Sequence, residues 1–259
     1  MKYLIFALYF LSFSLVAQVE ITPVLKQQDS LDVDIFIAKN NFENTYYIKN
    51  NALLKIKDNE TLSYSNIQLG QITSVNTYNP LKINVFYANL NTVIILDNRL
   101  AEITKLDFNT SQPYKNISHI STGFDNTLWL FNQDFQYLEL YDYKTRTTRY
   151  KTIPVTSKVL DLTSNYNYCW LLTENYLYCY NYFGSVVYKL KNENYTSIKS
   201  VNENLVIQKD NSLIFYNYKT KQFLPINLPN MLISQFFVTN QILYIYNRKM
   251  LYQYQLKTD

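Results

Sequence analysis

Six segments of the chain repeat one pattern of apolar and polar positions: a short alternating stretch, a tight turn containing Asn or Asp, and a second alternating stretch. Apolar residues recur at every second position, which is typical of β-strands and not of helices. The six segments are 44–58, 83–98, 126–143, 167–182, 203–218 and 241–256. This pattern predicts six β-hairpins.

Equivalent positions in the first strands of these hairpins are spaced at a nearly constant interval. They are Tyr47, Phe86, Trp129, Trp170, Val206 and Tyr244. A period of about 40 residues with strand patterning is typical of a β-propeller, in which each repeat is one blade. A short apolar strand precedes each hairpin and a more polar strand follows it. The predicted fold is therefore all-β, a six-bladed β-propeller of four-stranded antiparallel blades.

Two of the hairpin turns have a readable chemistry. Lys49-Asn50-Asn51-Ala52 and Lys209-Asp210-Asn211-Ser212 fit two-residue loops. Both central residues of such a loop need positive φ, which Asn and Asp tolerate better than other non-glycine residues. This matters here because the chain contains only three glycines.

The last repeat lacks an outer strand, since its hairpin ends near Leu256 and the sequence stops at Asp259. The stretch QVEITPVLKQQ, residues 18–28, is predicted to be an extended strand, but no neighbouring segment in the sequence forms a hairpin with it. Pro23 within it is tolerated on an edge strand, because proline has no N–H to donate to a sheet. We expect residues 19–25 to pair with the final hairpin and close the ring.

The first 17 residues have the layout of a secretory signal peptide: Lys2, an apolar run over 4–16, and Ala17 before a polar residue. The apolar run is shorter than the roughly 20 residues of a membrane-spanning helix; a retained anchor is the alternative. The predicted organisation is a signal peptide over 1–17 and a single propeller domain over 18–259. It implies an exported protein, periplasmic, associated with the outer envelope or secreted, with no membrane span in the mature chain.

Charge and aromatic content indicate which classes of binding partner this protein has. The formal net charge is +4 over 259 residues, without the concentrated basic surface that nucleic acids or anionic membranes require. The densest basic run, YKTRTTRYKT, alternates with Thr and Tyr as on an exposed strand face. The 26 tyrosines suit packing between half-buried strands; stacking platforms for sugars or peptides are the alternative.

Candidate chemistry is sparse. His119 is the only histidine, and metal sites and catalytic triads usually need histidine in company with other ligands or a nucleophile. Asp32 and Asp34 share one face of a strand and form no calcium-binding loop. We therefore predict no catalytic residues, no metal site and no cofactor, and the sequence leans towards a non-enzymatic protein. A glycosidase using two carboxylates stays open, because the two acids can come from distant blades.

Cys169 and Cys179 lie in one predicted hairpin. With a two-residue Glu174-Asn175 turn, Cys169 is opposite Tyr180 and Cys179 lies on the other face of the sheet. A three-residue turn would place the two cysteines opposite each other, and export would permit a disulfide. We favour two buried thiols, because free cysteine packs as a small hydrophobe.

Two stretches resemble blades of known propeller families. FDNTLWLFNQDFQYLELYDYKTRTTRY, residues 124–150, is similar to sensor propellers attached to two-component regulators. LYCYNYFGSVVYKL, residues 177–190, is similar to NHL and TolB-like blades, in which an acidic-aromatic-glycine turn joins the third and fourth strands. Asn181 stands where the acidic residue is expected, and Gly184 lies in the turn. The resemblance implies the propeller architecture.

The function that these observations favour is a protein-interaction or envelope scaffold module, with an unidentified protein or envelope component as partner. One alternative is a glycan-binding or glycan-cleaving propeller, using tyrosines and carboxylates such as Asp125, Glu174 or Asp210. Another is a ligand-sensing propeller, suggested by the Trp129 blade. Loops on a rigid scaffold often carry function, so the predicted binding face is the one with the hairpin turns. Its candidate residues are Asn50, Asn51, Asn91, Asp134, Glu174, Asp210 and Arg248.

Overall fold

A computed structural model describes residues 20–58 and 60–257. The predicted signal peptide, residues 1–17, lies outside the described residues. Twenty-four strands form six four-stranded antiparallel sheets, arranged as the blades of a propeller. The predicted fold is confirmed.

The strands follow one another around the ring, from the channel outwards within each blade. The first strand of the described residues is β1 (Val24–Ser30). Blade 1 contains β2 (Ile35–Lys39), β3 (Thr45–Lys49), β4 (Ala52–Lys57) and β5 (Glu60–Tyr64); blade 2 contains β6 (Ser74–Asn76), β7 (Ile83–Tyr87), β8 (Thr92–Leu96) and β9 (Glu102–Asp107). Blade 3 contains β10 (Ile117–Thr122), β11 (Thr127–Asn132), β12 (Tyr137–Asp142) and β13 (Thr147–Lys151); blade 4 contains β14 (Val159–Ser164), β15 (Tyr168–Thr173), β16 (Tyr176–Asn181) and β17 (Val186–Lys191). Blade 5 contains β18 (Tyr195–Val201), β19 (Asn204–Lys209), β20 (Ser212–Asn217) and β21 (Gln222–Ile226); blade 6 contains β22 (Gln235–Thr239), β23 (Ile242–Asn247) and β24 (Met250–Gln255), with β1 as its outer strand. Two single-turn 3-10 helices, Ile67–Leu69 and Ala88–Leu90, lie in connecting segments.

The core is divided into clusters, each lying between two neighbouring blades. The second strand of a blade is covered on both faces; β11, for example, is buried along its whole length. The outer strands are mostly exposed. Tyrosines contribute heavily to these clusters, as Tyr46, Tyr178 and Tyr216 illustrate. Packing between blades therefore accounts for much of the tyrosine content.

An N-terminal strand closes the ring, as predicted, but the predicted boundaries are wrong. The strand that pairs with β24 is β1, from Val24 opposite Gln255 to Ser30 opposite Met250. The expected strand over 19–25 is displaced because Pro23 cannot donate to the ladder, and regular pairing begins at the next residue. Ile21 instead forms a parallel bridge to Ile226 of blade 5. The N-terminal segment thus ties blade 5 to blade 6.

The junction between blades 6 and 1 has the smallest apolar cluster, formed by Phe36, Tyr244, Tyr246 and Leu251. A polar contact reinforces it. The buried Tyr246 hydroxyl lies 3.1 Å from the carbonyl oxygen of Leu31 and 2.9 Å from that of Val33. Each oxygen is a possible acceptor for its single proton. This contact holds the segment that connects the closing strand to the first inner strand.

The predicted turn chemistry is confirmed in blade 1, where Asn50 (φ 51°) and Asn51 (φ 58°) both have positive φ. The blade 5 turn also has two central residues, but of these two only Asp210 (φ 52°) has positive φ, so the prediction is wrong for Asn211.

The register of the cysteine-containing hairpin is the one predicted for a two-residue turn, with Cys169 opposite Tyr180 and Cys179 opposite Trp170. The two free thiols face different inter-blade clusters. Burial raises the pKa of Cys179 to about 12.

Candidate functional site

The propeller has two faces with different loops. The hairpin face carries the turns between the second and third strands and the links between blades. The loop face carries the loops between the first and second strands and between the third and fourth strands. A cavity opens on each face beside or within the ring of inner strands, and a further cavity of about 430 Å³ lies between the outer parts of blades 2 and 3.

Three asparagines on the hairpin face bind the link that follows their own blade. Each side-chain amide donates to a carbonyl oxygen and accepts from the N–H two residues further along. The contacts are Asn51 to Gly70 (2.7 Å) and Ile72 (2.9 Å), Asn91 to Lys115 (2.6 Å) and Ile117 (3.0 Å), and Asn211 to Met231 (2.6 Å) and Ile233 (2.9 Å). Two of the predicted binding residues, Asn51 and Asn91, are thus engaged with the protein's own backbone.

The other predicted site residues occupy separate turns of the hairpin face. Asn50 donates its N–H to the Asp34 carboxylate, Asp134 accepts from Asn116, and the Arg248 carbonyl lies 2.6 Å from the Tyr246 hydroxyl. Glu174 and Asp210 have exposed side chains. Among the described residues that line the two cavities, none belongs to the predicted set. The structure does not bring the seven together, and their binding role stays a prediction.

The hairpin-face cavity has a volume of about 620 Å³ and lies between blade 3 and the link to blade 4. His119 forms part of its wall, with Nδ1 3.0 Å from the Ser118 hydroxyl and the ring edge-on to Phe131. Burial lowers the pKa of His119, against a smaller opposing effect of the Asp161 carboxylate. His119 is therefore a half-buried, hydrogen-bonded residue with one side on a cavity.

The loop-face cavity, which we call the channel mouth, is the open end of the central channel and has a volume of about 480 Å³. Residues of all six inner strands line it. Representative lining residues are Ile37, Asn76, Ile120, Thr163, Ser200 and Thr239, one from each blade. The mouth is therefore the one place described here where every repeat contributes to a common surface.

Hydroxyl and amide side chains join the blades around the channel mouth. The contacts are Asn76 to Ser121 (3.1 Å) and Thr122 (2.8 Å), Ser164 to Ser121 (2.7 Å), and Thr163 to Ser200 (3.1 Å). A polar chain thus runs from blade 2 to blade 5. Because these groups hold one another, the wall presents hydrogen-bonding groups in fixed positions.

Large aromatic side chains surround the channel mouth. Phe42, Tyr78 and Tyr166 are 66%, 46% and 42% exposed and belong to the loops of blades 1, 2 and 4. The rings of Tyr78 and Tyr166 meet edge to face, with centroids 5.0 Å apart. We call these three residues the aromatic lip. Exposed aromatic rings around a polar cavity provide apolar contact area at its entrance.

One ion pair lies in the wall of the mouth. Among the described residues lining it, the only charged side chains are Asp161 and Lys199, whose Oδ2 and Nζ atoms are 3.4 Å apart. Asp161 Oδ2 also accepts from the Ser197 hydroxyl (2.6 Å) and from the Ile198 N–H (2.8 Å). The carboxylate therefore has two closer donors than the lysine.

In the described part of the chain, no three His, Cys, Asp or Glu side chains lie together in a way that could hold a metal ion. None of the helices within residues 20–58 and 60–257 is long and apolar enough to cross a membrane.

No protein-family model and no curated protein sequence matches the chain. Solved structures do resemble it. Virginiamycin B lyase from Staphylococcus aureus, solved with quinupristin, is similar with a TM-score of 0.63 and 12% identity over 94% of this chain and 97% of that chain. The Pan2 WD40 domain of Neurospora crassa has a TM-score of 0.58 and 10% identity, covering 89% of this chain and 74% of that one.

A third similar structure is PorZ, an essential bacterial surface component of the type-IX secretion system of Porphyromonas gingivalis. Its TM-score is 0.54 at 16% identity, over 85% of this chain and 32% of that chain. These likenesses establish the propeller fold. They do not choose between functions, because an enzyme and a WD40 domain share the same fold.

The channel mouth was not predicted from the sequence. The usable signal was in the loops after the inner strands, where NNFEN, NTYNP and NYN combine an aromatic residue with asparagines. The hairpin turns contain asparagine as well, and there it serves positive φ and the backbone contacts described above. Composition alone therefore does not distinguish asparagines that stabilise turns and links from asparagines that line the channel mouth.

Proposed function

We propose that this protein is an exported, non-enzymatic propeller that binds a segment of another secreted or envelope protein at the channel mouth. The observation that carries the proposal is the aromatic lip: three large rings stay exposed around a polar cavity to which all six blades contribute. Tyrosine and other aromatic residues are enriched in the anchors of protein interfaces. The fixed hydroxyl and amide groups inside the mouth suit the backbone of an inserted peptide segment.

Export rests on the predicted signal peptide over 1–17. A propeller serves at a bacterial surface in PorZ, and the proposal places this protein in a similar setting. Cell fractionation of the full-length protein tests this part. A protein found only in the cytoplasm would contradict it.

Site-specific photo-crosslinking in the native cell tests the binding face. The photoreactive residue p-benzoylphenylalanine replaces Tyr78 or Tyr166 in separate variants. Matched controls carry it at Tyr114 or Phe135, which are 51% and 57% exposed and lie on the hairpin face. We expect one and the same protein to be crosslinked from both loop-face positions and from neither control.

Crosslinking only from Tyr114 or Phe135 would contradict the proposal and favour the predicted hairpin-face site. The captured protein is then purified and its affinity measured directly. The double variant Tyr78→Ala/Tyr166→Ala should bind it at least about tenfold more weakly, since two aromatic anchors are lost. Thermal melting of this variant controls for folding.

A glycan-binding function is the second candidate, and the Tyr78–Tyr166 pair beside the asparagines of the mouth favours it. Aromatic faces stack on sugar rings, and amides hydrogen-bond to their hydroxyls. A glycan array tests this candidate, and a panel of chromogenic glycosides tests cleavage. Binding that is lost in Tyr78→Ala/Tyr166→Ala would favour glycan over protein as the ligand.

A further inference from the structure

In the ion pair of the channel mouth, Asp161 has closer hydrogen-bond donors than its partner Lys199. Asp161 Oδ2 accepts hydrogen bonds at 2.6 Å from Ser197 and at 2.8 Å from the Ile198 N–H, while Lys199 Nζ is 3.4 Å away. The two short contacts stabilise the carboxylate without the lysine. Lys199 therefore contributes the weakest of the three interactions to its own partner.

Lys199 retains capacity to bind something else. An ammonium group has three N–H donors, and within the described residues Asp161 is its one hydrogen-bond partner. Its side chain is 34% exposed in the mouth, and the ammonium lies 5.9 Å from the centre of the Phe236 ring. The Thr163 and Ser200 hydroxyls line the same cavity. A cation with spare donors thus lies beside one carboxylate, which has two closer donors, and otherwise among neutral polar groups.

Resting on the proposed function, we infer that the segment bound at the channel mouth carries a carboxylate that pairs with Lys199. The source is an acidic side chain or a free C-terminus of the partner. A single lysine beside Asp161 offers at most one positive charge. That charge suits a monoanionic carboxylate better than a phosphate, which carries more negative charge and would be repelled more strongly by Asp161 than a carboxylate.

Selection from two random dodecapeptide libraries displayed on phage tests the inference with purified protein. One library is fused through its C-terminus, so only acidic side chains supply carboxylates. The other is fused through its N-terminus and presents a free C-terminal carboxylate. Peptides are counted as selected only when they bind the wild type and not Tyr78→Ala/Tyr166→Ala. We expect enrichment of Asp and Glu in the first library. Alternatively, in the second, we expect selected peptides that, when made synthetically, bind with a free C-terminal carboxylate and not as C-terminal amides.

Individual selected peptides are then measured against point variants. Lys199→Gln should weaken their binding about tenfold, as loss of a charge-assisted hydrogen bond implies, and Lys199→Arg should restore most of it. Asp161→Asn should strengthen binding several-fold, because it removes the competing carboxylate and leaves an oxygen acceptor for Ser197 and Ile198. A purely structural role for Lys199 would not give these opposite effects.

Selected peptides without acidic enrichment and without a requirement for a free C-terminus would overturn the inference and leave the proposed function standing. Equal affinity of the wild type and Lys199→Gln would do the same. Failure to select any peptide that depends on the aromatic lip would contradict both. Melting temperatures of the Lys199 and Asp161 variants establish that each is folded.

Discussion

The asparagines that bind the links on the hairpin face and two asparagines at the rim of the channel mouth differ in their surroundings. On the hairpin face, Asn91 is 6% exposed, and its side-chain amide donates to the Lys115 carbonyl and accepts from the Ile117 N–H. On the loop face, Asn41 and Asn240 have exposed side chains at the rim of an open cavity. The first arrangement fixes the links between blades, and the second leaves polar groups accessible to a ligand.

We infer from this difference that residues important for stability and residues important for binding lie on different faces of the ring. Substitutions on the hairpin face should mainly change the free energy of unfolding, and substitutions on the loop face should mainly change affinity. Two buried contacts hold the link at Lys115: its carbonyl accepts a hydrogen bond from Asn91, and its ammonium pairs with the fully buried Glu139 at 2.5 Å. The predictions below test that separation, beginning with this pair.

Glu139→Gln should cause the largest loss of stability. It leaves the Lys115 ammonium buried without a compensating charge, which costs about 3–5 kcal/mol in comparable buried pairs. Urea unfolding measures the change. The double variant Lys115→Met/Glu139→Leu is the matched control and should lose less than the single variant, because no buried charge remains. A single variant that is as stable as the wild type would show that the pair does not anchor the link.

The same carboxylate should make the protein sensitive to acid. Burial alone would raise the pKa of Glu139, but hydrogen bonds from Lys115 and Thr148 hold it below the ordinary value. A carboxyl group with a lowered pKa in the folded state stabilises above its unfolded pKa, about 4.3 for Glu, and this contribution is lost as the pH falls further through the folded pKa. Urea midpoints between pH 7 and pH 3 should fall more steeply for the wild type than for Glu139→Gln, and parallel curves would refute this.

Asn91→Gly should lower the free energy of unfolding by about 2–4 kcal/mol, because two buried backbone groups lose their partner. Glycine is the appropriate replacement, since Asn91 has a φ of 46° and a larger side chain would add strain. Asn51→Gly removes the equivalent contacts where the amide and Gly70 are more exposed to water, so it should cost only about 1 kcal/mol. Equal losses in the two variants would mean that burial does not set the strength of this contact.

Repeat spacing and strand periodicity were sufficient to predict the six blades and the presence of a closing N-terminal strand, because these features depend on local patterning. The cysteine register followed only for a two-residue turn, and the sequence left a three-residue turn open. The exact closing strand was displaced because one proline delayed regular pairing. Its position depends on the blade 5 strand at Ile226, more than 200 residues away in the chain, as the residue numbers 21 and 226 show.

The candidate site was harder to predict because its parts are dispersed. Asn76, Ser121 and Ser164 are unremarkable strand residues whose contacts appear only when neighbouring blades are placed side by side. Asp161 and Lys199 are 38 positions apart, and each resembles a solvated charge in its own segment. Hairpin turns are easier to recognise in a sequence, and the predicted binding residues were therefore chosen on the hairpin face. There, Asn51 and Asn91 are hydrogen-bonded to the protein's own backbone.

Tyr78→Ala and Tyr166→Ala should have the smallest effect on stability, within about 0.5 kcal/mol each, as for most surface substitutions away from buried features. Both rings are more than 40% exposed, so their removal opens no cavity in the core. Their mutual edge-to-face contact contributes only about 0.5–1.5 kcal/mol even in favourable settings. Thermal melting measures this, with Tyr178→Ala as the control that removes an 8% exposed ring from an inter-blade cluster and should destabilise by several kcal/mol, about 3–5 by analogy with other buried aromatics. If the lip variants melt as low as Tyr178→Ala, the aromatic lip is part of the core and the separation between the two faces fails.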